Sequence, residues 1–415
     1  MSDDKKNENL VKLCGRKLTE LYKFATPEEI FNFLKEVCSK PEMFDIQDVE
    51  IQKQLGVVYT NFISLCGPDN KNYTGTGITP EQHIYRMRTP EADLDPKPEG
   101  WSLFNVKKDW KLDGPYFWTT EKDSTRIKEP YWSHYDLLGL FLSLMGPAQP
   151  GATKLTFFLP LTAVYARWCL IIGGKATREE VVDGKKEKRT IGTGVGVTPT
   201  IAQCTWRLSK GEKGGYEFCL GSSLAGYSYK GKEGVVGTWQ RRLQMGRFNL
   251  LRGYNYIDQM PWEAEVDDPD NPGQKKTVDV FWKFDNSPVI SAGGNSKTHF
   301  GNCGETYPFL QVFGQWSNGK RSDISGLALY KNFLNDKDMW EDICIDKLTK
   351  GKWKERGPTG NKEDVYDIGY LWPPCDNCKY LLEVAGFTPL NQTNFQPITG
   401  VLAGPPPKPP KPWDP

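Results

Sequence analysis

The chain lacks an excess of charge: 53 Lys and Arg stand against 52 Asp and Glu, a formal net charge of +1. No global field therefore draws it toward nucleic acid or an acidic membrane, and any such contact must come from a local patch. It also lacks, over its opening MSDDKKNENLVKL, the charged, apolar and small-residue layout of a secretory signal. Long apolar runs are scarce. The longest, LTFFLPLTAVYARWCLII (Leu155–Ile172), carries Pro160 and Arg167, and an arginine near mid-membrane costs roughly 2.5–3.5 kcal/mol. It is expected to form two buried strands and no membrane span. Close-spaced cysteines are scarce too: of ten, only Cys375 and Cys378 are near neighbours. Without an export signal the thiols are expected to be reduced, the sequons at Asn72 and Asn391 bare, and the protein intracellular, cytoplasmic or nuclear.

What is present is the material of a soluble α/β protein. At 415 residues, with 38% apolar and 25% charged residues, the chain is long enough for two or three domains with cores of normal size. Residues 1–147 read as a helical and loop-rich region. LVKLCGRKLTELYKF places Leu10, Leu13, Cys14, Leu18, Leu21 and Tyr22 at helical spacing. TPEEIFNFLKEVCSK opens with Thr26 as N-cap, Pro27 at the first helical position and Glu29 where a capping box needs it. Residues 67–130 read as long loops, and SHYDLLGLFLSLM as a short apolar helix ending at Gly146-Pro147.

Residues 148–265 read as β-rich. The runs KLTFFL, RWCLII, GVGVTPTIAQCTW and GYEFCLGSSLAGYSY are separated by Gly- and Lys-rich turns. GTGVGVT has alternating glycines with no helix opening after it, which is an edge strand or close packing and not a phosphate loop. Beyond the acidic EAEVDDPDNPGQKK, residues 266–400 are expected to hold a hairpin (TVDVFWKF, DNSP, VISA), a helix from about Cys303, a helical ISGLALYKNFLNDKDMWEDICIDKL, and the strand VYDIGYLW running into PPCDNC. Residues 401–415 form a Pro-rich, disordered tail of polyproline II character, suited to an SH3- or WW-type partner.

The chemistry concentrates in two stretches, NCGETYPFL at 302–310 and WPPCDNCKYLL at 372–382. Zinc suits thiolates, two cysteines at C-x-x-C spacing grip one ion from a single turn, and a catalytic site needs three protein ligands with a fourth position open. Cys303, Cys375 and Cys378 are three such ligands. Glu305, two residues after the first, is placed to face the open position and move protons. Helix N-termini at both ligand segments favour thiolate over thiol.

The order Cys303-Gly304-Glu305, then Pro374-Cys375-x-x-Cys378, resembles the signature of the zinc-dependent cytidine deaminase superfamily, H/C-x-E followed by P-C-x-x-C. The resemblance covers about 277–390. It implies an α/β, three-layer catalytic domain at the C-terminal end, in which a hairpin precedes the first motif and each motif opens a helix beside a central sheet. It implies Cys303, Cys375 and Cys378 as zinc ligands, Glu305 as proton shuttle, and hydrolytic deamination of a cytosine-type base in a nucleotide or single-stranded DNA or RNA. The 72-residue separation of Cys303 from Cys375 exceeds the usual family gap, so an insertion is expected between them.

Asn295, His299 and Asn302 are the candidate substrate contacts, in the loop before the first motif. WQRRLQMGRFNLLRGYNY interleaves Arg241, Arg242, Arg247 and Arg252 with Trp239, Phe248, Tyr254 and Tyr256, the mixture that single-strand binding uses for phosphates and stacked bases. A core element with solvated arginines is the competing reading. The competing reading of the metal centre is a closed structural zinc on His299, Cys303, Cys375 and Cys378 in a non-enzymatic binding protein whose tail recruits a partner.

Overall fold

The computed structural model describes residues 12–66, 118–119, 126–127, 133–173, 176–182, 185–191, 198–208, 215–224, 244, 247–248, 251, 261–267, 271–281, 300–314, 323–349, 369–388 and 393–395. At the N-terminus a hairpin replaces part of the expected first helix. Cys14 and Gly15 take φ of 45° and 79°, so β1 (Lys12–Leu13) folds back on β2 (Arg16–Lys17) and α1 starts only at Leu18–Tyr22. A two-residue hairpin loop needs left-handed residues, and Gly15 supplies one without steric cost.

α2 (Pro27–Ser39) starts where its capping box predicts, with the Glu29 N–H donating to Thr26 Oγ1 at 3.3 Å and the Thr26 N–H to Glu29 Oε2 at 2.9 Å. α3 spans Val49–Cys66. α4 (His134–Leu144) has the same device in Ser133 and Asp136. Residues 134–142 are buried on every side, which marks α4 as a central helix.

The run expected as two strands is one helix. A π-helical turn, Lys154–Phe158, leads into α5 (Leu159–Ile172), every residue of which is buried. Pro160 does not break it: it sits directly after the π-helical turn, at the second position of α5. Arg167 does not interrupt it either. Its guanidinium donates to Trp340 O at 2.6 Å and Phe24 O at 3.3 Å, and lies over the Tyr22 and Trp340 rings at 4.6 and 4.5 Å. Among the described residues, Lys154–Ile172 is the one helix long and apolar enough to cross a bilayer, and 89% of that window is buried inside the fold. It is a core helix.

The main sheet is antiparallel throughout, in the order β12 (Leu371–Trp372), β11 (Ile324–Tyr330), β7 (Ile201–Leu208), β8 (Tyr216–Ser222). β11 corrects the expected helix over ISGLALY. It is a central strand held on both edges, and tertiary pairing overrides a helical reading of a short apolar run. Registered pairs share a face. Trp206 and Phe218 face Phe158, which stacks on Trp206 at 4.1 Å and 6°. Gln203 and Gly221 face the other way, toward Gly304 and Pro308 at the start of α6 (Thr306–Gly314). Helices thus cover both faces, an α/β arrangement.

Short antiparallel ribbons complete the strands: β3 (Trp118–Thr119) with β4 (Arg126–Ile127), β5 (Ala176–Val182) with β6 (Lys185–Ile191), and β9 (Pro261–Asp267) with β10 (Lys275–Phe281). β10 therefore pairs upstream, with the strand before it. VISA lies outside the described residues, as do the tail at 401–415 and the GTGVGVT glycines. The hairpin that joins the sheet beside the first motif is β7–β8. The four-stranded sheet joins strands from before and after residue 265, and a single buried apolar cluster runs from Leu13 to Phe395.

A candidate metal centre

Cys303 lies on the turn that opens α6. Past the short helices α7 (Asp338–Glu341) and α8 (Ile345–Thr349), Cys375 is the N-cap of α9 (Asp376–Val384), with Cys378 in its first turn. The fold brings these segments together: Cys303 Sγ is 3.3 Å from Cys375 Sγ, Cys375 Sγ is 3.5 Å from Cys378 Sγ, and all three sulfurs lie within 4.8 Å of one another. Sulfurs at roughly 2.3 Å from a tetrahedral zinc stand about 3.8 Å apart. The donor set and its spacing fit a metal ion.

The three thiols share charge unequally. Hydrogen bonds from Cys303 and Cys378, with the Cys378 and Asn377 backbone N–H groups adding to them, hold the Cys375 thiol well below the ordinary thiol range. Its hydrogen bond with Cys375 pushes Cys303 up, and burial pushes Cys378 up. A sulfur at the N-cap of α9 is where a negative charge is best placed, against free backbone donors and the positive end of the dipole.

Glu305 is 6% exposed. Burial, then the negative charge of Cys375, raises its carboxyl from 4.5 to about 7, against the opposing effects of a backbone N–H and the Cys378 thiol. A buried carboxyl that gains or loses a proton near neutrality is suited to moving protons. The Phe309 N–H donates to Glu305 O at 2.8 Å, and Thr306 Oγ1 donates to Cys303 O at 2.9 Å, so the ligand and the acid are both tied into the start of α6.

Gly221 sets how closely this turn approaches the sheet. A Cβ there would lie 2.5 Å from Gly304 O and 2.6 Å from Pro308 Cδ. Pro308 is accommodated because it falls in the first turn of α6, as its sequence position requires.

The other predicted site residues fare differently. Asn302 sits beside Cys303 and accepts the Leu224 N–H on its carbonyl at 2.9 Å, while its buried side-chain Oδ1 has no hydrogen-bond partner among the described residues. Asn295, His299, Arg241, Arg242 and Arg252 lie outside the described residues, as do Trp239, Tyr254 and Tyr256. Arg247 is a correction. It is 1% exposed and ion-paired with the buried Asp136, so it presents nothing to a phosphate. Phe248 is buried beside it and is not a stacking platform.

Sequence reasoning missed Gln203, Gly221, Gln244 and the Asp136–Arg247 pair. One signal was present: Gln244, Arg247, Phe248 and Leu251 recur at i, i+3, i+4, i+7, the period of a buried helix face, and all four are buried. Comparison of the chain with family models, with curated proteins and with solved structures finds no match.

Proposed function

We propose that the protein is a zinc-dependent hydrolytic deaminase acting on a cytosine-type base, carried by a nucleotide or a single-stranded nucleic acid. The observation that carries this reading is the convergence of Cys303 with Cys375 and Cys378, 72 residues apart in the chain, beside a buried carboxyl at Glu305. The element order lends support: the β7–β8 hairpin, a helix opened by the C-x-E motif, then strands, then a helix opened by P-C-x-x-C, with α6 beside the central sheet. This order is in keeping with the deaminase-like reading of the motifs, with two of the sheet's strands contributed from upstream of residue 266.

Cys303, Cys375 and Cys378 would hold the ion, and zinc there supplies the Lewis acidity that lowers the pKa of water from 15.7 to about 7. Glu305 takes the proton from the attacking water, delivers it to N3 of the ring as C4 is attacked, and passes a proton to the departing ammonia. A carboxyl titrating at about 7 accepts and donates with little driving-force penalty at neutral pH. The Oδ1 of Asn302, next to the first ligand, has no hydrogen-bond partner among the described residues and is a candidate to hold substrate; Asn295 and His299, shortly before it in the sequence, are the other candidates. All ten cysteines are free thiols, which suits a reducing, intracellular compartment.

The test pairs metal analysis of the purified chain with an ammonia-release screen over cytosine nucleosides, nucleotides and single-stranded oligomers. Glu305→Gln is expected to keep one zinc and lose ammonia release. One zinc with no release from any substrate, together with loss of the metal in His299→Ala, would replace the reading with a closed structural site.

A further inference from the structure

We propose that Gln244 and Arg247 are positioning residues that set the place of the first metal ligand, Cys303. This rests on the reading of the three-cysteine cluster as a zinc centre. The chain approaching Cys303 presents three consecutive carbonyls, and each accepts a hydrogen bond from a different donor. Phe300 O takes Gln244 Nε2 at 2.5 Å, Gly301 O takes Arg247 Nη1 at 3.3 Å, and Asn302 O takes the Leu224 N–H at 2.9 Å. Gly301 holds φ at +91°, and a Cβ there would lie 2.5 Å from Gln244 O and 3.1 Å from Phe248 N. The approach segment therefore runs directly against Gln244, Arg247 and Phe248, with no side chain of its own between.

Arg247 binds this segment to the rest of the fold. The same Nη1 donates to Ser222 O, at the end of β8, at 3.1 Å, and Nη2 pairs with Asp136. The guanidinium carbon also sits 5.1 Å from the centre of the Tyr307 ring, on the far side of Cys303 in the chain. Asp136 is itself fixed by accepting from Ser133 N and Oγ at the start of α4. The arginine thus touches the chain before the ligand, the helix after it and the strand beside it.

A fully buried Asp–Arg pair is a poor source of stability, because desolvating both charges offsets their attraction, and apolar replacements are often neutral or stabilising. What the pair provides is a guanidinium held in one orientation with its donors aimed at Gly301 and Ser222. Groups behind metal ligands act in this way, and their loss costs about 10–100-fold in metal affinity.

The experiment uses the full chain, with zinc affinity measured by chelator competition and the cobalt-substituted protein examined for its thiolate charge-transfer bands. Arg247→Lys and Gln244→Met are expected to weaken zinc binding about 10–100-fold and to weaken or shift the cobalt bands. Leu34→Ala, a buried change in α2, is expected to lower Tm while keeping wild-type zinc affinity. Arg247→Met combined with Asp136→Leu is expected to keep the fold and still bind zinc weakly. Wild-type affinity and cobalt spectrum in Arg247→Lys and Gln244→Met would overturn the proposal, as would zinc affinity that simply follows Tm across all four proteins. If the wild-type chain binds no zinc, the zinc reading fails by itself, and positioning is then read from Cys303–Cys375 disulfide formation with diamide. There two thiols lose two electrons and two protons and diamide becomes the hydrazine. A slower reaction in Arg247→Lys supports the positioning role, and an unchanged rate refutes it.

Discussion

Glu305 makes a quantitative demand on the metal-free protein. Its carboxyl titrates at about 7 in the fold against 4.5 as the ordinary value, a difference of about 2.5 units, and each unit corresponds to about 1.36 kcal/mol. The folded chain therefore holds a proton that the unfolded chain has released, over the window from pH 4.5 to 7. The sign follows: this contribution to stability is fully present below pH 4.5 and is lost as pH rises through 7. In chelator and reductant, urea unfolding of wild type should lose on the order of 3 kcal/mol between those limits from this group alone. Glu305→Gln cannot release a proton, so its stability relative to wild type should grow by that amount from pH 5 to pH 8. Subtracting the two curves removes the titrating groups that do not interact with Glu305. A difference independent of pH would mean that the carboxyl is ionised and solvated, and the proton-shuttle role would lose its physical basis. Bound zinc should flatten the dependence, because a cation beside the carboxyl favours its charged form.

Two further outcomes follow from groups away from the metal ligands. His134 is buried and lies at about 3, pushed down from 6.5 by desolvation. It stays neutral in the fold where the unfolded chain is protonated, so acid costs stability as pH falls from 6.5 toward 3. Replacing it with Phe should remove about 3 kcal/mol of that acid sensitivity between pH 4 and pH 7 in urea titrations, and an unchanged acid slope would refute the burial argument. Gly221→Ala drives a methyl into Gly304 O and Pro308; overpacking of this kind costs about 1–3 kcal/mol. It should also weaken zinc binding in chelator competition, and wild-type affinity would show that the turn can shift without moving Cys303.

The centre was legible in the sequence because its chemistry is local to each motif: a C-x-x-C turn announces two sulfurs, and the C-x-E places an acid near a third. The surroundings were not, because they depend on contacts far apart in the chain. Nothing near Trp206 or Phe218 says that Phe158 will stack there, and LTFFLPLTAVYARWCLII reads as strands until the partners of Arg167 are known to be Phe24 and Trp340. ISGLALY looks helical because apolar residues crowd it. Only pairing with β7 and β12 makes it a strand. The capping boxes at Thr26 and Ser133, by contrast, are short-range devices, and α2 and α4 begin where those residues stand.

Arg247 shows how the two kinds of information collide. Read in sequence, an arginine among aromatics points outward to phosphates, since an isolated charge is costly to bury. That inference fails when a partner 111 residues away cancels the cost, and Asp136 does so from a helix whose own cap it completes. The helical spacing of Gln244, Arg247, Phe248 and Leu251 carried the opposite message, that this face is buried. A buried arginine must satisfy its donors somewhere, and Arg247 gives hydrogen bonds to the backbone carbonyls of Ser222 and of Gly301, two residues from Cys303. The burial that removes Arg247 from any nucleic-acid surface is what places it behind the three-cysteine cluster.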